Sequence, residues 1–422
     1  MPGDPQISAT VGSFLARPEQ LLIDGEWADG TGGGIDVINP STGKRIATVA
    51  GGSAADVDRA ARAARRAFEA RTWRGMTPAA RARILWRIGD LIDAHADELA
   101  ELEMLNTGKT FAAARHGEVP FAAECFRYHA GWCTKLEGAT KEISTVPGAD
   151  FHVYTRHEPI GVVGLIVPSN GPLVQASWKL APALAAGCSA ILKPDEKTPL
   201  TSLRLGELMI EAGVPAGIVN IVTGTGELTG DALVRHPLVA KLSFTGSTVT
   251  GKAIARAACD DLKKVTLELG GKSPMIVLAD ADLDAAIPGV AAGIFPNAGQ
   301  VCVAGSRLYV EAAVYDEVLQ GVADIATRLK VGPGHDPATE VGPLISAQHL
   351  DYVCGMVAAG EDQGARVAAG GERVDLGGGY FMAPTVLADT KPTMRVVQEE
   401  IFGPVLAAQR VDDAADIPAL AN

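Results

Sequence analysis

Two side chains in this sequence have the types and settings for covalent chemistry. Cys302 stands in Phe295-Pro-Asn-Ala-Gly-Gln-Val-Cys302-Val-Ala-Gly-Ser-Arg307, a glycine-punctuated loop. The loop separates a helix expected near 282–298 from a strand expected at Arg307–Val310. Glu268 lies 34 residues upstream, at the end of a buried-looking strand, Lys264–Leu269, and just before the turn Gly270-Gly271. A thiolate is a strong nucleophile, and a carboxylate can take a proton from water. Each group leaves a structured element at a turn. Together they are the parts of nucleophilic attack followed by hydrolysis of a covalent intermediate.

Composition narrows what surrounds such a pair. The chain has 422 residues, enough for two or more domains, each with its own core. It is 47% apolar and 21% charged, as soluble globular proteins are. A formal charge of −13 argues against a nucleic-acid-binding surface. Cys125, Cys133, Cys188, Cys259, Cys302 and Cys354 are scattered without CxxC spacing, so neither a zinc framework nor a disulfide scaffold is expected, and no metal site. No signal peptide pattern opens the chain, and the longest apolar run, Ile160–Val167, is too short to span a bilayer. A reducing cytoplasm is the expected setting.

The elements that must carry the pair read as follows. Residues 1–20 are expected to be a mobile tail. Leu21–Trp27 reads as a short strand, and helices follow from Ser53 and from Thr77-Pro78. Asn106-Thr107-Gly108-Lys109-Thr110 invites a P-loop reading, but Glu103 occupies the position of the first glycine and no strand precedes it. It reads instead as a helix break. Thr140–Glu158 holds two exposed strands with a turn at Pro147-Gly148. From Ile160 the pattern alternates. Strands are expected at Ile160–Val167, Ser189–Lys193, Gly217–Val222, Val239–Phe244 and Lys264–Leu269, with helices between. Continuous apolar strands with short loops predict a five-stranded parallel, Rossmann-like sheet covered on both faces. Ligands of such sheets sit at the carboxyl ends of strands. A second α/β unit begins at Met275.

Both chemical segments resemble the signature motifs of the aldehyde dehydrogenase superfamily, and the resemblance runs from about residue 21 to the end of the chain. It implies an NAD-binding domain from residues 1–139 and 159–270, an oligomerisation hairpin at 140–158, and a catalytic domain from 271–422. It further implies that Cys302 attacks an aldehyde, that Asn170 and the Cys302 N–H form an oxyanion hole, and that Glu268 activates water against the resulting thioester. The family usually has Trp where Ser169 stands and Phe where Gly171 stands. The smaller residues imply a looser loop or a wider substrate channel.

For the cofactor, NAD, the resemblance assigns Lys193 and Glu196 to the adenosine ribose and Gly246 and Ser247 to the pyrophosphate. A carboxylate at Glu196 would repel a 2′-phosphate. Gly224-Thr-Gly226-Glu-Leu-Thr-Gly230 is one residue longer than a Rossmann fingerprint, and Gly226 and Gly230 are expected to border the adenine pocket. Glu400 is implied at the nicotinamide ribose and Phe402 beside the nicotinamide ring. The family's chains continue for several dozen residues beyond Asn422, so the resemblance implies a C-terminally truncated copy. A homodimer or homotetramer is expected where that segment is present. The loop around Cys302 is similar to that of phenylacetaldehyde-type enzymes, which points to an aromatic or medium-chain aldehyde. Two other readings stay open at this level: a Cys/Glu thioester hydrolase without redox chemistry, and a fragment acting as a structural or interaction subunit.

Overall fold

Val162–Ile166 and Ser189–Lys193 are buried at every position, as central parallel strands covered on both faces must be. They anchor the larger of two main sheets in the computed structural model, which describes residues 7–17, 20–143, 145 and 147–422. In chain order, β1 (Leu21–Ile23) and β2 (Glu26–Ala28) form a hairpin, as do β3 (Gly34–Asn39) with β4 (Lys44–Ala50) and β5 (Thr140–Lys141) with β6 (Val153–Tyr154). Then come β7 (Val162–Ile166), β8 (Ser189–Lys193), β9 (Val219–Ile221), β10 (Val239–Gly246) and β11 (Lys264–Leu269). The larger sheet runs β11-β10-β7-β8-β9-β1-β2. Its first five strands are mutually parallel, the arrangement expected from the sequence, and the antiparallel β1–β2 hairpin widens it at one edge.

β12 (Pro274–Val277), β13 (Arg307–Glu311), β14 (Arg366–Ala369), β15 (Thr385–Ala388) and β16 (Val405–Val411) make the second sheet, in the order β12-β13-β16-β15-β14. Each sheet has its own core. Leu165, Leu180, Leu192 and Leu203 lie in one, and Leu308, Val310, Val386 and Leu406 in the other. β11 lies at the edge of its sheet, and its burial alternates. Val265, Leu267 and Leu269 face inward, whereas Lys264, Thr266 and Glu268 face out, as the two-residue period of a strand dictates.

The expected mobile tail is corrected in part. Ala9–Leu15 is a helix capped by the Ser8 hydroxyl, and it buries Val11 and Phe14. Those two apolar side chains join the core beside the Ala96–Thr107 helix, which gives the segment a place to dock. Residues 1–6, 18 and 19 lie outside the described residues. The helix break at Gly108 is as expected: Gly108 takes a left-handed conformation and its N–H closes on Met104 O. Among the described residues, no helix is long and apolar enough to cross a membrane.

Candidate active site

The nucleophile loop is built on unusual backbone. Asn297, Ala298 and Gly299 all have positive φ (52°, 53° and 70°). For the two non-glycine residues this costs roughly 1–2 kcal/mol each. Hydrogen bonds across the loop offset that cost. Asn297 Nδ2 donates to Gln300 O (3.2 Å) and to Asn170 O (3.3 Å). Gln300 Nε2 donates to Asn297 O (3.0 Å) and Pro343 O (3.3 Å), and its Oε1 accepts from Ile345 N–H (2.9 Å). Gly299 is required because a Cβ there would stand 2.0 Å from Gly403 O. Cys302 follows, half-buried, with a free thiol.

Asn170 is brought to the same loop from 130 residues away. Its Nδ2 donates to Gln300 O (3.0 Å), two residues before the cysteine. Gly171 leaves open space beside it, since a Cβ would make only ordinary contact, 3.8 Å, with Glu118 Oε1.

Glu268 and Cys302 line one cavity of about 820 Å³. The rest of its wall mixes apolar surface (Val163, Leu165, Trp178, Pro182) with Lys179, Ser243 and Thr245. Lys179 Nζ donates to Ser243 Oγ (2.9 Å). Burial pushes this lysine down to about 8, against the pull of the Glu268 carboxylate. Glu268 itself is exposed on the outer face of β11, beside Thr245 in the register.

A second cavity, about 880 Å³, lies at the carboxyl ends of β7, β8 and β10. Lys193, Glu196, Gly226, Gly230, Gly246 and Ser247 all line it. The Lys193 ammonium is buried, donating to Pro194 O (2.9 Å) and facing Glu196 Oε2 (3.4 Å). Asp195 also lines the wall, its carboxyl raised above the usual range by burial, with Lys197 opposing. Ser247 caps the helix Thr248–Cys259 through Thr250 N–H, so the free N–H groups of that helix's first turn form a site suited to an anion. Thr245 lines both cavities, and its buried hydroxyl has no hydrogen-bond partner among the described residues.

Glu400 and Phe402 are placed differently from the other expected cofactor residues, since neither is part of these two cavity walls. Glu400 packs on the turn that follows Glu268. Its Oε1 accepts from Gly271 N–H (3.3 Å), and burial raises its carboxyl above the usual range, with Gly271 and Lys272 opposing. Lys272, buried near Arg307, is held down to about 7, and its ammonium has no hydrogen-bond partner among the described residues. Phe402 has a positive φ of 55°. Its carbonyl accepts from His349 Nε2 (2.7 Å), and its ring meets the His349 ring at 6.1 Å. Lys179, Lys272, Asn297 and Gln300 were not anticipated as site residues. Gln300 and Asn297 sit inside the quoted loop, but nothing in sequence reports that their amides brace it.

The arrangement is that of a thiol and a carboxylate facing one chamber, next to a chamber with an anion-binding helix start and ribose-scale polar groups. Comparison with known proteins agrees with it. The sequence model of the aldehyde dehydrogenase family matches residues 27–422. Phenylacetaldehyde dehydrogenase of Pseudomonas fluorescens is 46% identical over 412 residues, covering 97% of this chain and 82% of that protein. Betaine aldehyde dehydrogenase of Bacillus subtilis (strain 168) is 44% identical over 408 residues, covering 96% and 82%. The NAD+ complex of an aldehyde dehydrogenase from Bacillus cereus superposes with a TM-score of 0.96 at 44% identity, covering 100% of this chain and 85% of that one. On motif, site geometry and these matches together, the chain belongs to the aldehyde dehydrogenase family.

Proposed function

We propose that the chain oxidises an aldehyde to its carboxylic acid, with NAD as hydride acceptor. The observation that carries this reading is the shared chamber of Cys302 and Glu268, which has Thr245 in common with the chamber at the strand ends. Lys193 and Glu196 would hold the adenosine ribose, the start of the Thr248–Cys259 helix with Gly246 and Ser247 the pyrophosphate, and Gly226 and Gly230 the adenine side. Glu400, at the Gly270-Gly271 turn, would reach the nicotinamide ribose, with Phe402 beside the ring. Asp195 and Glu196 in the same wall disfavour a 2′-phosphate, hence NAD over NADP. Bound there, the nicotinamide would supply the hydride acceptor.

The chain's own residues do the rest. The Cys302 sulfur bonds to the aldehyde carbon, and the carbonyl oxygen takes up the electron pair. The Asn170 amide and the Cys302 N–H donate to that oxygen. Each such donor is worth on the order of 3 kcal/mol in the transition state. Loss of hydride from the carbon leaves a thioester. Glu268 takes a proton from water as its oxygen bonds to the thioester carbon, and the C–S bond breaks to release the acid. The carboxylate at Glu268 thus favours hydrolysis over transfer to another thiol. Val163, Leu165, Trp178 and Pro182 give the chamber an apolar wall suited to an aromatic or medium-chain aldehyde. In this scheme residues 1–139 and 159–270 bind the dinucleotide, 271–422 supply the nucleophile, and 140–158 serve assembly.

The test is incubation with phenylacetaldehyde and NAD, read at the NADH absorbance band. NADH formation that Cys302→Ala abolishes, while NAD still raises the melting temperature of that variant, is the expected result. A thioester hydrolase would form no NADH, and that outcome would remove the redox reading.

A further inference from the structure

Lys109 belongs to the segment that imitates a P-loop, and the structure gives it another role. The Ala96–Thr107 helix ends at Gly108, and the next residue turns its side chain inward. The backbone there is clamped: a Cβ at Gly334 would stand 2.1 Å from Lys109 O, and one at Gly342 would stand 2.4 Å from Gly108 O. The Lys109 side chain is only 2% exposed. Its ammonium has three N–H groups and three acceptors. These are Glu118 Oε1 at 2.5 Å, Asn170 O at 3.1 Å and Glu103 Oε1 at 3.4 Å. Glu118 is the last residue of a π-helical turn, Ala114–Glu118, a local rewinding that often marks functional sites.

One ammonium here faces two carboxyl groups, Glu103 and Glu118. Glu103 is fully buried, and burial together with repulsion from Glu118 pushes it up to about 8 in spite of Lys109. Burial thus favours its protonated form. The Lys109 ammonium is held in its charged form by Glu118 and Glu103, against its own burial.

We infer that Lys109 is a positioning residue for the reaction: its buried ammonium holds the Asn170 peptide so that the Asn170 amide keeps its place beside the nucleophile loop. This rests on the oxyanion role proposed for Asn170. The need for such a clamp is visible in the loop itself. Asn170 is flanked by Ser169 and Gly171, and neither brings a bulky side chain to anchor the turn. Its carbonyl is instead tied from two sides, by Lys109 Nζ and by Asn297 Nδ2, while its side chain reaches Gln300 O. Lys109 touches neither Cys302 nor Glu268 in the structure's contacts, so its effect must pass through Asn170 and its neighbours.

The experiment is a double-mutant cycle in the full chain, with phenylacetaldehyde and NAD. Lys109→Met removes the donor. Lys109→Met with Glu118→Gln removes the donor and the uncompensated carboxylate together, and serves if the single variant fails to fold. In the native background, kcat is expected to fall about 10- to 100-fold, the range that small displacements of reacting groups produce, with the KM for NAD within twofold. In an Asn170→Ala background, the same changes should lower kcat by no more than about twofold. Equal losses in both backgrounds, or no loss in a folded variant, would overturn the role. Near-native kcat in Asn170→Ala alone would instead refute the oxyanion assignment, so the two failures are distinct.

Discussion

Replacing Gly270 by alanine isolates the contact between Glu400 and the turn beneath it. Gly270 has an ordinary φ, so alanine brings no backbone strain. Its Cβ would stand 1.8 Å from Glu400 Oε2 and 2.5 Å from Cδ. Ordinary contact between such atoms lies near 3.5 Å, so the carboxylate must retreat by roughly 1.5 Å. A flexible side-chain end can do this, and folding should survive. The retreat breaks the 3.3 Å hydrogen bond from Gly271 N–H and takes the anion away from the Lys272 ammonium. A hydrogen bond to a charged group contributes about 1.5–3 kcal/mol. If Glu400 holds the nicotinamide ribose, a misplaced carboxylate should weaken NAD binding about tenfold or more, since 1.4 kcal/mol is a factor of ten. Calorimetric titration with NAD measures this, and a melting curve checks the fold. Gly271→Ala is the companion variant. Its Cβ would meet Cys302 O at 3.2 Å, so it should lower kcat and leave NAD affinity nearly unchanged. Binding of NAD by Gly270→Ala within twofold of the native chain would show that Glu400 does not contact the cofactor.

Two further outcomes are expected. Glu268→Gln should release one equivalent of NADH per site in a fast first turnover and then stall with the thioester in place; a normal steady-state rate would reassign the base. Glu103→Gln should change how stability varies with pH. The native fold keeps the Glu103 proton up to about 8, whereas the unfolded chain releases it near the ordinary 4.5. The folded state thus binds more protons across that window, and the contribution of Glu103 to stability falls as pH rises from 4.5 to 8. At 1.36 kcal/mol per pH step the full effect is at most about 5 kcal/mol. The native chain should therefore lose melting temperature relative to the glutamine variant between pH 5 and 8; parallel curves would remove the buried acid from the account.

The sequence made the parallel sheet legible because β7 and β8 are short, largely apolar runs bounded by turn residues, and the helices between successive strands make the connections parallel crossovers. Glu268, Lys193, Glu196, Gly246 and Ser247 could be singled out because each closes or follows a strand, and Cys302 because it stands in a glycine-punctuated loop before one. β16 was not legible: its apolar run after Gly403-Pro404 is only Val405–Ala408, too short to show a distinguishing period before Gln409 and Arg410. β3 and β4 were hidden by a two-sided mixture of polar and apolar residues. The N-terminal helix was missed because two buried side chains, Val11 and Phe14, are too few to make a periodic signal. Lys109 was out of reach for a different reason. A lysine after a helix-ending glycine looks solvated, and its acceptor on Asn170 lies 61 residues further on. Only packing brings the two together.

Thr245 belongs to the walls of both chambers, and this links two properties that most folds adjust separately. A substitution at this point alters the wall of both chambers at once. A change of shape around Trp178 and Pro182, by contrast, reaches the chamber of Cys302 and Glu268 alone, since neither residue lines the other.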